Sequence, residues 1–412
     1  MTERTTCVVV GGGPAGMVLG LLLARGGVEV TVLEKHGDFL RDFRGDTVHP
    51  TTLQLLDELG LGERFAALPQ SRLTEVAFPD SHGNQTVVGD LSRLKTPFPY
   101  IAMVPQWDFL DLLADAASEE PAFTLRMNTE VTALTRRDAR VCGVRYRTRD
   151  GVEGTIEADL VVAADGRWSL GRREAGLVPK EFPVPLDAWW LRLDRYDSGG
   201  PRTIAPTMRR GEFAILIPRE GYYQIAYIGP KGADARLRQE GIQSFRDRLV
   251  RIVPRVEGLV GSLESMDDVK HLDVRLNRLH RWHTDGLLCI GDAAHAMSPI
   301  GGVGINLAVQ DAVAAAVLLA EPLRRRHVTE ADLAKVRRRR YLPTVLVQCL
   351  QRAMHRLVVK PVLEGRRDGP PKPLGKLMRK VPRASFIPAY LIGIGFRPEH
   401  APAWARRAPQ RH

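Results

Sequence analysis

The 412-residue chain has only four cysteines, Cys7, Cys142, Cys289 and Cys349, and no CxxC pair, which argues against a disulfide framework or a metal site. Unbroken apolar runs are short of the ~20 residues that a bilayer span requires, so no integral membrane association is expected. The apolar segment that starts at Cys7 breaks at Gly11–Gly13, which reads as a strand and not as a signal peptide, and the chain is expected in the cytoplasm. Lysine is scarce, 10 against 49 Arg, and aromatics make up only 6%. The Arg bias reads as genome base composition or, with the net charge of +11, as a field that attracts anionic ligands. The basic runs "LRRRH" (323–327) and "VRRRRY" (336–341) have no aromatics interleaved among them and no groove-reading helix nearby. They read as solvated helix faces, so no nucleic-acid partner is expected. There is no internal repeat and no second glycine fingerprint.

The first fingerprint is well formed. In "TTCVVVGGGPAGMVLGLLLARGGVEVTVLEKH" (5–36) a strand at Val8–Val10 leads into a glycine turn, an apolar helix from Pro14 to Arg25, and a second strand at Val28–Leu33. Gly11, Gly13 and Gly16 fill the GxGxxG positions, and Glu34 follows Gly16 by 18 residues. That context is the one a dinucleotide requires: Gly11 for the tight turn, Gly13 for approach of the pyrophosphate, and Gly16 for close helix–strand packing. The helix start offers partial positive charge to the phosphates, and Glu34 an acceptor to a ribose hydroxyl.

Beyond it, helices are predicted from about Pro50, over 104–120 and over 235–253, with short strands in 71–98 and a hairpin turn at "RDG" (149–151). Residues 184–230 change to strand periodicity and predict an antiparallel sheet of about four strands. Two helices, about 303–325 and 329–360, lead to the Pro-rich "EGRRDGPPKP" (364–373). The basic, apolar tail at 372–396 is expected to fold onto the body as a cap, with a membrane surface as the other reading. Between these parts lie "DGRWSLGRR" (165–173) and "GDAAHAMSPIGGVGINLAVQDA" (291–312). The second places an acid at a strand end, then Pro299, Gly301, Gly302 and Gly304 before an alanine-rich helix, which suits backbone approach to something flat and polar.

Taken in this order, "GGGPAG" with Glu34, "DGRWSLGRR" and "GDAAHAMSPIGGVGINLAVQDA" resemble the single-component FAD-dependent aromatic hydroxylases, the para-hydroxybenzoate hydroxylase-like flavoprotein monooxygenases. The resemblance covers roughly residues 5–325 and implies an α/β fold: a Rossmann-like FAD-binding domain with an inserted antiparallel-sheet substrate domain and C-terminal helices. The division it implies is 1–70, 99–180 and 270–325 for the FAD-binding domain, 71–98 and 181–269 for the substrate domain, and 326–412 for helices and tail. It implies that Glu34 holds the adenosine ribose, that Arg44 lies near the pyrophosphate and that Asp292 bonds the ribityl chain. Pro299, Gly301 and Gly302 would position the flavin by backbone. The helix opening at Gly304 would aim its positive end at the flavin edge, beside Asn306. Asp165, Gly166, Ser169 and Arg172 fit the DGxxSxxR pattern, and Gln106 falls at a flavin-contacting helix position. Pro14, Ala15, Lys35, Val131, Gly291 and Ile305 complete the implied FAD site. The small residues of the flavin loop suit a ring that moves between two positions.

The implied reaction is hydroxylation of a phenolic or polycyclic aromatic by O2, with NADPH or NADH as transient reductant, through a C4a-hydroperoxyflavin. The expected oligomeric state is monomer or dimer. A flavin-dependent halogenase and a prenyl-chain reductase share the FAD motifs, although "GEFAILIP" (211–218) lacks the tryptophans of a halogenase GWxWxIP segment. A flavin-binding docking protein is the non-enzyme alternative. His295 reads as a residue turned away from the flavin. His49, Trp189, Trp190, Tyr222, Tyr223 and Tyr227 are candidates for the pocket that the sequence does not separate.

Overall fold

The computed structural model describes residues 2–40, 47–79, 85–194, 204–209, 211–219, 221–369, 371 and 380–408. From the N-terminus the chain runs β1 (Thr2–Val10), α1 (Pro14–Arg25), β2 (Val30–Leu33), β3 (Thr47–Val48), α2 (Pro50–Glu58) and α3 (Gly62–Ala66). Short strands β4 (Ser71–Leu73), β5 (Glu75–Pro79), β6 (Gln85–Asp90) and β7 (Ile101–Met103) precede α4 (Gln106–Ser118). Then come β8 (Phe123–Arg126), β9 (Thr129–Arg137), β10 (Arg140–Thr148), β11 (Glu153–Ala163) and α5 (Leu170–Glu174).

The second half opens with β12 (Pro179–Phe182), β13 (Leu186–Asp194), β14 (Ala205–Arg209), β15 (Glu212–Pro218), β16 (Tyr222–Pro230) and α6 (Asp234–Ile252). It continues with β17 (Lys270–Leu272), β18 (Leu276–Leu279), β19 (His283–Thr284), β20 (Leu287–Cys289), α7 (Gly304–Arg324) and α8 (Glu330–Met354). A π-turn at His355–Val359 joins α8 to α9 (Lys360–Leu363), and α10 (Phe386–Gly393) lies near the C-terminus.

The parallel strands of the main sheet stand in the order β20-β11-β1-β2-β8. Numbered among themselves they read 5-4-1-2-3, the doubly wound arrangement with its switch point between β1 and β11. Such strands are covered on both faces, which is why Cys7–Val10 and Leu160–Ala163 are unbroken apolar runs and fully buried or nearly so. α1 and α7 pack on this sheet, and α8 packs on α7. Pro14 starts α1 where its missing N–H has no intrahelical role, and Thr329 with Asp332 forms a capping box at the start of α8.

α7 is, among the described residues, long and apolar enough by length and composition to cross a membrane, although no unbroken apolar run marks it in the sequence. It is instead the core helix, with 72% of that stretch buried by its own protein neighbours.

The second sheet is antiparallel, in the order β14-β15-β16-β13-β17. It has one strand more than the pattern at 184–230 predicts, and β17 begins one residue past 269. Alternation sorts its side chains. Trp189, Leu191 and Leu193 of β13 and Tyr223, Ile225 and Tyr227 of β16 pack on α6. Ala188, Trp190, Gln224, Ala226 and Ile228 face the other way and line a cavity that reaches the parallel sheet. The tail folds back as a cap: α10 packs on β6, and Gly393 sits against Leu91, Leu94 and Pro50.

Candidate functional site

One continuous cavity of about 1250 Å³ runs from the β1–α1 turn to the inner face of the antiparallel sheet. That exceeds the roughly 300–1,000 Å³ of a single small-molecule pocket, so it has room for a dinucleotide and a second molecule.

At the switch-point end the three fingerprint glycines do different work. Gly11 has φ +103°, and a Cβ there would stand 2.6 Å from the Ala164 carbonyl oxygen. A Cβ on Gly16 would stand 1.9 Å from the Gly11 carbonyl oxygen, so Gly16 is a packing residue and does not line the cavity. A Cβ on Gly13 would meet no protein atom within 4 Å. Gly13 faces open space at the N-terminus of α1, where the first-turn N–H groups have no helical partners and suit an anion. Pro14, Ala15 and Lys35 line the same end. Glu34 closes β2 and lines the cavity, its Oε2 accepting the Gly12 N–H at 2.9 Å and its Oε1 the His36 N–H at 3.1 Å.

The turn after β11 supplies Asp165 and Gly166, the latter at φ +79°. Asp165 Oδ2 accepts the Leu170 and Gly171 N–H groups at 2.7 and 3.4 Å, while Oδ1 is buried with no hydrogen-bond partner. Burial raises the Asp165 pKa, against those bonds and the one from Ser169. Ser169 caps α5 by accepting the Arg172 N–H. Arg172 does not line the cavity: it donates to the Ala293 and Arg167 carbonyls at 3.2 and 2.6 Å and ties this turn to the one after β20.

In that turn Asp292 lines the cavity, with Arg167 at 3.5 Å. Gly291 lies behind it, packed against Ala308 and Ala15. Pro299, Gly301, Gly302, Gly304 and Ile305 form the wall that follows, with Gly301 and Gly302 at φ +84° and +64°. The loop is held from outside. Thr47 donates to the Gly302 carbonyl at 2.8 Å, and a Cβ on Gly302 would stand 2.7 Å from Thr47 Oγ1. Fully buried His49 spans the Gly302 and Ile392 carbonyls, at 3.0 Å from Nε2 and 2.9 Å from Nδ1, and burial pushes its pKa down to about 4. Asn306 also lies behind the wall, its Oδ1 accepting the Thr51 and Thr52 hydroxyls at 2.7 and 2.8 Å. Gln106 and Val131 complete the lining, and Arg44 falls outside the described residues.

The supporting residues Thr47, His49, Thr51 and Thr52 carry no motif of their own. Their one sequence signal is a polar cluster on an otherwise apolar helix start. Of the aromatic candidates only Trp190 lines the cavity. Trp189, Tyr223 and Tyr227 belong to the α6 core, and Tyr222 lies under Arg192 on the other edge. His295 is a core residue: its Nε2 is 2.5 Å from Asp311 Oδ2, and Asp311 Oδ1 accepts from Arg340 Nε at 3.1 Å. Burial works against the Asp311 charge, but His295 and Arg340 outweigh it and hold its pKa below the usual carboxylate range.

FAD fits this lining. A buried carboxylate oxygen lacks a partner, a glycine cradle opens on space that a side chain would fill, and the volume is sufficient.

Comparison with known proteins agrees. The FAD binding domain family matches residues 4–347. The chain is 35% identical over 355 residues to 6-methylpretetramide 4-monooxygenase of Streptomyces rimosus, covering 82% of this chain and 80% of that one. Other monooxygenase relatives are longer, and the chain spans 61% of two of them. Among solved structures, the OxyS anhydrotetracycline hydroxylase of Streptomyces rimosus superposes with a TM-score of 0.75 at 24% identity, over 95% of this chain and 76% of that one. The flavin-dependent brominase Bmp2 reaches 0.78 at 19% identity, over 98% and 97%, a likeness of fold alone. From the glycine cradle, the two acid-bearing turns and these matches together, the chain belongs to the FAD-dependent aromatic hydroxylases, the single-component flavoprotein monooxygenases.

Proposed function

We propose that this monooxygenase hydroxylates a polycyclic phenol, with NAD(P)H as reductant and O2 as the source of the inserted oxygen. The observation that carries the reading is the continuity of the cavity from the flavin loop at Pro299–Gly304 to the apolar floor of the antiparallel sheet. The small residue Ala226 lies between Trp190 and Ile215 on the adjacent strands, and Ala188 between Ile228 and Leu272, which leaves a broad shelf suited to a flat ring system. The relatives named for 6-methylpretetramide and anhydrotetracycline support the same substrate shape.

The segments 1–70, 99–180 and 270–325 would hold the cofactor, 71–98 and 181–269 would shape the substrate space, and the tail would cap it. Bound FAD would supply the redox chemistry of a net reaction in which two electrons from the nicotinamide and O2 put one oxygen atom on the ring and release the other as water. Residues of the chain orient the two molecules and exclude water. For the reductant, half-exposed Trp168 stands at the cavity rim with Arg275 4.1 Å over its ring and Arg167 and Arg173 beside it. An aromatic face among guanidinium groups suits a nicotinamide nucleotide. The four free thiols suit a reducing compartment such as the cytoplasm.

The test is turnover with 18O2 and a polycyclic phenol panel. One labelled oxygen in the product, with NADPH oxidation stimulated by that phenol, is the expected result. Label from water would overturn the reading, and halide entering the ring would favour a halogenase.

A further inference from the structure

The C-terminal cap has two sides, and only the inner one serves the cavity. Pro388, Ala389, Leu391 and Ile392 of α10 line it. Phe386, Ile387 and Tyr390 of the same helix are 37%, 57% and 41% exposed, and Val381 just before it is 47% exposed. Phe386 and Tyr390, one turn apart, touch with ring centroids at 5.7 Å. Among the described residues ten large hydrophobics are exposed, and these four fall within ten consecutive positions. They form a patch, whereas the other six are spread from Leu40 to Leu357.

The charge beside the patch has one sign. Between Asp368 and Glu399 the sequence has six basic residues and no acidic one. Lys380 and Arg383 are exposed, and neither pairs with a carboxylate among the described residues. A stable protein–protein interface engages roughly 20–30 residues a side, and four apolar side chains with two cations fall far short of that. A lipid surface demands no matching shape. Aromatic and aliphatic side chains enter the boundary between headgroups and acyl chains, while Lys and Arg meet anionic headgroups. The eight residues of α10 span about 12 Å, so the helix cannot cross a hydrocarbon core of roughly 30 Å and would lie in the interface.

We propose that α10 seats the protein on an anionic lipid bilayer, with Val381, Phe386, Ile387 and Tyr390 in the interface and Lys380 and Arg383 on the headgroups. The apolar substrate then enters the cavity from that bilayer, past the same helix. The entry route rests on the reading of the substrate as a polycyclic phenol, whereas the docking does not. A flat polycyclic ring system partitions from water into lipid, and α10 alone supplies both the patch and part of the cavity wall. The helix is also tied to the flavin loop, because His49 is 2.9 Å from the Ile392 carbonyl and 3.0 Å from that of Gly302. A shift of α10 on the bilayer therefore reaches the loop wall.

The test is co-sedimentation of the FAD-loaded protein with vesicles of phosphatidylcholine alone and of phosphatidylcholine with one third phosphatidylglycerol. Wild type should bind the anionic vesicles at least tenfold more tightly than the neutral ones. Ile387→Glu, and Lys380→Glu together with Arg383→Glu, should each lose at least tenfold, with FAD occupancy and thermal midpoint unchanged. Because the whole chain carries +11, a control reverses the same number of charges at exposed Arg236 of α6 and Arg338 of α8, and should bind as wild type does. An equally weakened control, or an Ile387→Glu protein that binds as wild type, would trace binding to net charge and overturn the docking. So would a wild-type dimer that Ile387→Glu splits without vesicle binding, which assigns the face to a second copy. For the entry route, turnover of a polycyclic phenol preloaded in anionic vesicles should fall at least tenfold in Ile387→Glu, while turnover of a water-soluble phenol stays at the wild-type rate. Equal turnover from vesicles would overturn the route. Vesicle binding with no turnover of any phenol would overturn the route together with the substrate reading and leave the docking supported.

Discussion

The two ends of the cavity are built from different material. At the FAD end the wall is largely backbone: a glycine facing open space, a helix start, a carboxylate on each of two turns, and a loop with two glycines at positive φ. At the sheet end the wall is side chains, apolar ones from all five antiparallel strands joined by Leu91 and Ala389 from outside the sheet. Backbone geometry at a turn tolerates few residue types, whereas an apolar floor accepts many of similar volume. The first kind of wall leaves a motif in the sequence and the second leaves only alternation.

The largest effect expected from this contrast separates two glycines three residues apart. Gly13→Val leaves the protein folded, because its Cβ meets nothing, and removes FAD; the purified protein should be colourless with a native thermal midpoint. Gly16→Val should instead fail to fold, because its Cβ overlaps the Gly11 carbonyl. A yellow, folded Gly13→Val protein would break the comparison.

The loop wall itself carries a liability to acid. His49, bonded to the Gly302 carbonyl, and His355, bonded to Ser298 Oγ, are neutral in the folded protein, with pKa values lowered by burial from 6.5 to about 4. Between those values the unfolded chain binds more protons, so stability is complete above pH 6.5 and falls as pH drops toward 4. For fully buried His49 the loss approaches roughly 3 kcal/mol. Urea midpoints across pH 7 to 4 would measure it, and a slope that His49→Gln leaves unchanged would remove His49 from the account.

Asp292→Ala is expected to weaken FAD by roughly 1.5–3 kcal/mol, about 10- to 150-fold, through loss of a charged acceptor. Equilibrium titration of the apoprotein checks this, and wild-type affinity would mean that Asp292 serves only its contact with Arg167. The smallest effect belongs to the floor. Ala226→Leu should raise the substrate KM by roughly 1–3 kcal/mol equivalent, since overfilling a packed surface costs about that much, and leave FAD binding untouched. An equal loss of FAD in this variant would show that the two ends are not separable.

Much of this arrangement was legible along the chain. Gly11, Gly13, Gly16 and Glu34 announce the first turn because each position has a steric or polar demand that few residues meet. Asp165-Gly166 and Asp292 mark the ends of two further parallel strands for the same reason. Alternation announced the second sheet but not β17, a three-residue strand too short to carry a period. It also left the two tryptophans of β13 equivalent, and only the packing of α6 on one face decides that Trp189 is core and Trp190 lines the cavity.

The sequence by itself determined the cofactor, since FAD binding depends on local turns whose residues are neighbours in the chain. Tertiary structure alone decided which polar groups meet across it. Asn306 turned out to receive Thr51 and Thr52 from 254 and 255 residues away, Arg172 to bind Ala293, and Ser298 to face His355 across 57 residues. Such pairs form where sheets and helices stack, and hydrogen bonds between distant segments leave no periodicity or spacing along a single chain.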